Sequence, residues 1–138
     1  MNIFRRKKNK SQKINEDYIS DNAKNITEED VEKVAKQSSK IWAKFQNGKF
    51  EEYLEEGKTM LSLIKDFVKK DYTKIPWYAL TAIVFALLYV LNPMDLSPDY
   101  IPFIGYVDDV TVFSFALTLV NKDLKAYRKW KEESDIEN

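Results

Sequence analysis

The chain has no cysteine and no histidine among its 138 residues. Without cysteine there is no disulfide, no thiolate nucleophile and no thiolate zinc site. Without histidine the usual general base and imidazole metal ligand are missing, so Ser-His-Asp and Cys-His sites cannot be built. Glycine is scarce as well. The three glycines, at 48, 57 and 105, cannot form a Walker loop or a dinucleotide fingerprint. Carboxylates, lysines, tyrosines and hydroxyls are what remain for chemistry. The composition implies no cofactor, and the chain is expected not to be an enzyme.

Charge balances over the whole chain, with 22 Lys+Arg against 22 Asp+Glu, but not along it. Residues 1–13 hold six basic side chains and no acid. Residues 14–40 hold seven acids against four lysines. Between Lys74 and Lys122 there is no basic residue, and the only charges are Asp95, Asp99, Asp108 and Asp109. The basic start suits either a solvated terminus or anionic lipid. Nucleic acid is not an expected partner, because no basic helix face with interleaved aromatics follows. No apolar run follows Arg5-Arg6-Lys7-Lys8, so the start does not read as a signal peptide.

The periodicity is helical throughout, which makes the expected fold class all-α. Residues 1–26 read as a flexible N-terminus, basic and then polar. Thr27 followed by Glu28-Glu29-Asp30 reads as an N-cap with an acidic first turn. Val31, Val34, Ala35, Ser38, Ile41, Trp42 and Phe45 then recur at helical spacing, and Asn47-Gly48 stops the run. A second amphipathic run carries Phe50, Tyr53, Leu54, Gly57, Leu61, Ile64, Phe67 and Val68, with Glu51, Glu52, Glu55, Glu56, Lys58, Lys65, Asp66 and Lys69 on its other face. Residues 27–70 are therefore expected to form an amphipathic helical hairpin. Its polar surface offers a place for a protein partner.

Two apolar helices follow. Pro76 suits the first turn of the first. Residues 75–94 contain no charge over twenty positions, and 77–91 have no polar face. Such a helix is solvated either by lipid or by protein on all sides. Twenty residues reach about 30 Å, close to a bilayer's hydrocarbon thickness. Trp77 and Tyr78 at one end and Tyr89 near the other suit interfacial belts. Ala79, Ala82 and Ala86 permit close approach of another helix. From Asp109 a second helix carries Val110, Phe113, Leu117, Val120, Leu124 and Tyr127, with Thr111, Ser114, Thr118 and Asn121 as a small polar stripe. It is expected to run over 109–131, with Trp130 among lysines suited to a headgroup interface and 132–138 as a flexible C-terminus.

Between these helices lies NPMDLSPDYIPFIGYVDD, residues 92–109. Asn92-Pro93-Met94-Asp95 and Ser97-Pro98-Asp99-Tyr100 share one logic: a capping side chain, a proline at the first helical position, then an acid. On this reading Asp95, Asp99, Asp108 and Asp109 serve short helix starts, while Pro93, Pro98, Pro102 and Gly105 shape the backbone. The same four carboxylates are oxygen ligands that would suit Mg²⁺, Ca²⁺ or Mn²⁺, and no basic residue lies within the segment to pair them.

The set Tyr89, Pro93, Asp95, Leu96, Pro98, Asp99, Ile101, Pro102, Gly105, Tyr106, Asp108 and Asp109 resembles the signature of the YkvA-like domain. That is a small bacterial family of unknown function, often read as membrane-associated. The likeness covers about residues 71–130. Asn92, Met94 and Ser97 depart from the family's usual Ser or Asp, Ile and Ile but keep the Pro and Asp frame. The resemblance implies a bacterial cytoplasmic-membrane module and brings no reaction, cofactor or active-site residues.

Three functions fit. The first is a non-enzymatic module held by membrane lipid, with 75–94 and 109–121 as hairpin or wedge. Lysines flank both ends of this apolar pair, which places both termini in the cytoplasm. The second is a divalent-cation protein using the aspartates between 95 and 109. The third is a soluble helical-bundle adaptor with 77–91 as its buried centre.

Overall fold

The computed structural model describes residues 16–91 and 109–137. They form α1 (Glu16–Ala23), α2 (Glu28–Lys36), α3 (Ser38–Gln46), a 3₁₀ turn (Glu51–Tyr53), α4 (Leu54–Val68), α5 (Trp77–Leu91) and α6 (Asp109–Glu137). The protein is all-α, as its periodicity predicts, with no strand among the described residues.

Thr27 caps α2 through a reciprocal box. Asp30 N–H donates to Thr27 Oγ1 at 3.4 Å, and Thr27 N–H donates to Asp30 Oδ2 at 2.9 Å. This satisfies donors that a helix start leaves open. The single run expected from 28 to 46 is broken at Gln37, whose backbone leaves the helical region (φ −97°, ψ 15°). The break falls at Gln37, whose side chain makes no capping hydrogen bond to α3. It lets Val31 and Val34 on α2, and Ile41 and Phe45 on α3, all enter one core. Gly48 supplies the positive φ (+87°) of the turn that follows.

The N-terminal expectation needs correction. Residues 16–23 are helical, with Ile19 and Ala23 buried against α5 and α6. Ile19, Ala23 and Ile26 carry a spacing of four and three, a short apolar stripe inside an acidic stretch. The C-terminal expectation changes too, since α6 continues to Glu137 instead of stopping near 131.

The larger correction concerns the apolar helix. α5 has 15 residues, about 22 Å of helix, against a hydrocarbon layer of about 30 Å. No helix among the described residues is long and apolar enough to cross a membrane. α5 instead touches every other helix, and residues 79–90 are all buried by the chain's own side chains. Protein, not lipid, is its solvent. Tyr89, expected near a membrane boundary, is 1% exposed and packs on Phe85. Trp77 and Tyr78 alone on α5 are well exposed, at 49% and 63%.

α6 covers α5 with Val112, Phe113, Ala116, Val120, Leu124 and Tyr127 buried, while Val110 and Leu117 are only half-buried. Its stripe of Thr111, Thr118 and Asn121 faces solvent, and Thr118 Oγ1 turns back to the Ser114 carbonyl at 3.1 Å. α6 runs parallel to α4. Phe113 meets Tyr53 at the start of α4 (ring centroids 5.1 Å), and Tyr127 meets Asp66 at its end. α5 packs against both.

Candidate functional site

The motif aspartates come first. Asp95, Asp99 and Asp108, with Pro93, Pro98, Pro102 and Gly105, lie outside the described residues. Asp109 is the first residue of α6. Among the described residues no cluster of three or more acidic side chains is arranged to hold a metal.

What the fold does assemble is a polar cluster where α4 ends beside α6. Asp66 is buried, although the hairpin pattern puts it on the solvent face of α4. The Tyr127 hydroxyl donates to Asp66 Oδ2 at 2.5 Å, and the Lys131 ammonium donates to the same oxygen at 3.0 Å. Ser62 Oγ lies 2.5 Å from the Tyr127 hydroxyl. One turn below, Arg128 Nε donates to Thr59 Oγ1 at 3.2 Å. Tyr127 and Lys131 are one helical turn apart, so both reach one carboxylate from one face of α6. Burial, and then the hydrogen bond to Asp66, push the Tyr127 phenol well above its ordinary range, so it stays protonated and donates. One sequence signal points to this site, the i, i+4 Tyr-Lys pair at Tyr127 and Lys131.

An aromatic roof closes the cluster. Tyr72 packs on Tyr127 (5.0 Å) and on Trp130 (4.9 Å), and Trp130 stacks on Tyr127 (5.8 Å). Trp130, expected at a headgroup interface, is therefore half-buried among rings, with the Lys131 ammonium 5.9 Å from its centre. Asp123 Oδ2 is buried nearby with no hydrogen-bond partner among the described residues. Burial raises the Asp123 carboxyl above its usual range, and burial together with that carboxylate raises the Tyr72 phenol. Asp66 is held by two donors from α6. Its chemistry is that of a clasp between helices, since a charge-assisted pair with a phenol fixes helix register more sharply than apolar contact does.

The connection from α4 to α5 forms the second feature. The Asp66 carbonyl accepts from Asp71 N–H (2.9 Å) and Tyr72 N–H (3.2 Å), and Lys70 takes a left-handed φ of 69° to close the turn. Tyr72 and Ile75 are buried as pins. The residues between and beside them point outward: Val68, Lys69, Lys70, Asp71, Thr73, Lys74, Pro76, Trp77 and Tyr78 are exposed. Lys69, Lys70 and Lys74 make no ion pair among the described residues. Two exposed aromatics at the start of a buried helix, preceded in the same connection by three lysines without ion pairs, are residue types suited to a membrane interface.

Comparison with known proteins agrees with the motif reading. The family described as a protein of unknown function (DUF1232) matches residues 79–115, which run from α5 through the motif into α6. The uncharacterised membrane protein YkvA of Bacillus subtilis (strain 168) is 33% identical over 73 residues, 53% of this chain and 69% of the relative. No solved structure matches the chain. With that identity over more than two thirds of the relative, and the Pro/Asp motif inside the matched family segment, the chain belongs to the YkvA-like family of proteins of unknown function.

Proposed function

We propose that the protein is a non-enzymatic, membrane-associated helical module that acts at the membrane surface as an intact bundle. A spanning hairpin would require α5 to exchange its protein neighbours for lipid. Protein contacts already enclose α5, and the exchange would expose to water the apolar faces of the helices that cover it. The observation that carries the surface reading is the exposed pair Trp77 and Tyr78 at the head of an otherwise enclosed helix. Indole and phenol rings, apolar in body and polar at one end, are at home among headgroups. The name of the Bacillus relative, a membrane protein, fits this reading.

A bundle bound at the surface keeps both termini on one side of the membrane, which we take to be the cytoplasmic side. The solvent face of 27–70, with Glu51, Glu52, Glu55 and Lys58 exposed, is where a protein partner would attach. Asp66, Tyr127 and Lys131 serve the architecture by locking α6 onto α4.

Fractionation of cells making the full chain tests the proposal. The protein is expected in the membrane pellet and is expected to be released by alkaline carbonate, which strips surface-bound proteins and leaves spanning ones. Retention after carbonate, or recovery in the first supernatant, overturns it.

A further inference from the structure

A bundle that works at a membrane surface must present one face to lipid, and the α4–α5 connection is built as such a face. Two buried pins, Tyr72 and Ile75, fix the path of the chain. Tyr72 is held by the rings of Tyr127 and Trp130, so the clasp between α4 and α6 sets the position of the corner. The exposed residues before, between and after the pins are of two kinds. Val68 (39% exposed), Trp77 and Tyr78 offer apolar area, while Lys69, Lys70 and Lys74 offer charge against one exposed carboxylate, Asp71. None of the three lysines has an ion-pair partner among the described residues. A helical pattern alone would scatter these groups. The reversal of chain direction between α4 and α5 gathers them at one end of the bundle.

We infer that this corner, residues 68–78, docks the protein onto an anionic phospholipid bilayer. Trp77, Tyr78 and Val68 enter the headgroup layer, and Lys69, Lys70 and Lys74 lie against lipid phosphates. The inference rests on the membrane-surface reading and adds the docking residues and the lipid charge. The chemistry follows from complementarity: lysines are attracted to an anionic surface within a Debye length, and indole and phenol rings partition to the interface. Neither set is sufficient alone, because a single weak signal gives only marginal attachment.

The test is flotation of the full-length protein with vesicles of pure phosphatidylcholine and with vesicles containing phosphatidylglycerol. Binding is expected to the anionic vesicles and to be at least tenfold weaker to the neutral ones. The variant K69Q/K70Q/K74Q should bind the anionic vesicles about a hundredfold more weakly. W77S/Y78S should lose about tenfold or more, while both variants keep the wild-type urea midpoint because the altered side chains are exposed. The basic N-terminus is controlled by the full chain carrying R5Q, R6Q, K7Q and K8Q, in which the corner substitutions should still weaken binding. Equal binding to both vesicle types overturns the inference, as does unchanged binding of the corner variants or loss of binding through the N-terminal variant alone. Absence of binding to any vesicle overturns it too. If the protein nonetheless pellets with cell membranes, the surface reading stands and the contact is with a membrane protein. If it stays in the first supernatant, both fall.

Discussion

Helices α4 and α6 lie side by side and meet at both ends by different means. Just ahead of α4 the contact is between aromatic rings. Phe113 sits among Phe45 (5.4 Å), Phe50 (6.0 Å) and Tyr53 (5.1 Å), with edge-on and tilted rings. At the end of α4 the contact is polar, with Asp66, Ser62, Tyr127 and Lys131 joined in one network. The aromatic end gains its stability from area removed from water, which is non-directional and tolerates small slips. The polar end contributes less net energy but demands a single register, because any slip leaves a buried carboxylate without its donors. The end that must hold a geometry is also the one that carries the docking corner, through Tyr72.

The sharpest way to break this comparison is truncation at the aromatic end. Phe113→Ala should cost about 3–5 kcal/mol in urea unfolding. The loss should be the same at pH 5 and pH 8, since the contacts removed are between rings. A cost under 1 kcal/mol would mean that the two helices are held by the polar end alone.

Tyr127→Phe probes the other end and keeps the ring. It removes the donor to Asp66 and the contact with Ser62, and should cost about 1–3 kcal/mol. Because the folded phenol titrates above its unfolded value near pH 10, its contribution is complete below pH 10 and is lost as pH rises further. Denaturation of wild type and variant at pH 7 and above pH 10 should therefore show the gap narrowing only at the alkaline end. A constant gap would assign the cost to packing.

Gly57→Ala sharpens the aromatic side. A Cβ there would meet the Phe45 ring at 2.7 Å, so a ring already packed on Phe50 and Phe113 must shift. Alanine favours helix by about 1 kcal/mol. Overpacking costs about 1–3 kcal/mol, and the net change in melting temperature should be downward. A rise would show that Phe45 has room to move.

The smallest effect is expected at Asp123. Its carboxyl titrates higher in the folded protein because burial disfavours the charge, so the folded state binds the proton more tightly. Stability then falls as pH rises from the unfolded value near 4 through the folded one. Asp123→Asn should have the higher urea midpoint at pH 7, and the difference should close near pH 4. A difference independent of pH would place the effect in packing or hydrogen bonding rather than charge.

Much of this could be read from residues alone. The cap at Thr27, the stop at Gly48 and the start at Pro76 follow from local backbone chemistry, and the structure has all of them. The core stripe of α6 is legible in part: Phe113, Val120, Leu124 and Tyr127 are buried as the 3-4 repeat has it, but Val112 and Ala116 are buried where it has Val110 and Leu117. Asp66 was not, because a charged residue in a run of Glu and Lys reads as solvated, and its burial depends on Tyr127 and Lys131 some 60 residues away. α1 was hidden because three apolar positions in an acidic stretch are too few to mark a helix without the neighbours they pack on. The motif aspartates 95, 99 and 108 are legible as caps or ligands, and they lie beyond the described residues.

The amino-acid order by itself determined that the chain is helical, where most helices start and stop, and that its Pro/Asp motif belongs to the YkvA-like family. These properties are set by short-range forces: capping, propensity and the phase of apolar residues. Only the tertiary structure decided what surrounds α5. A uniformly apolar helix is equally content in hydrocarbon and in a protein core, so its own residues carry no preference. The choice was made by the helices before and after it, whose apolar faces cover it completely and leave Trp77 and Tyr78 outside.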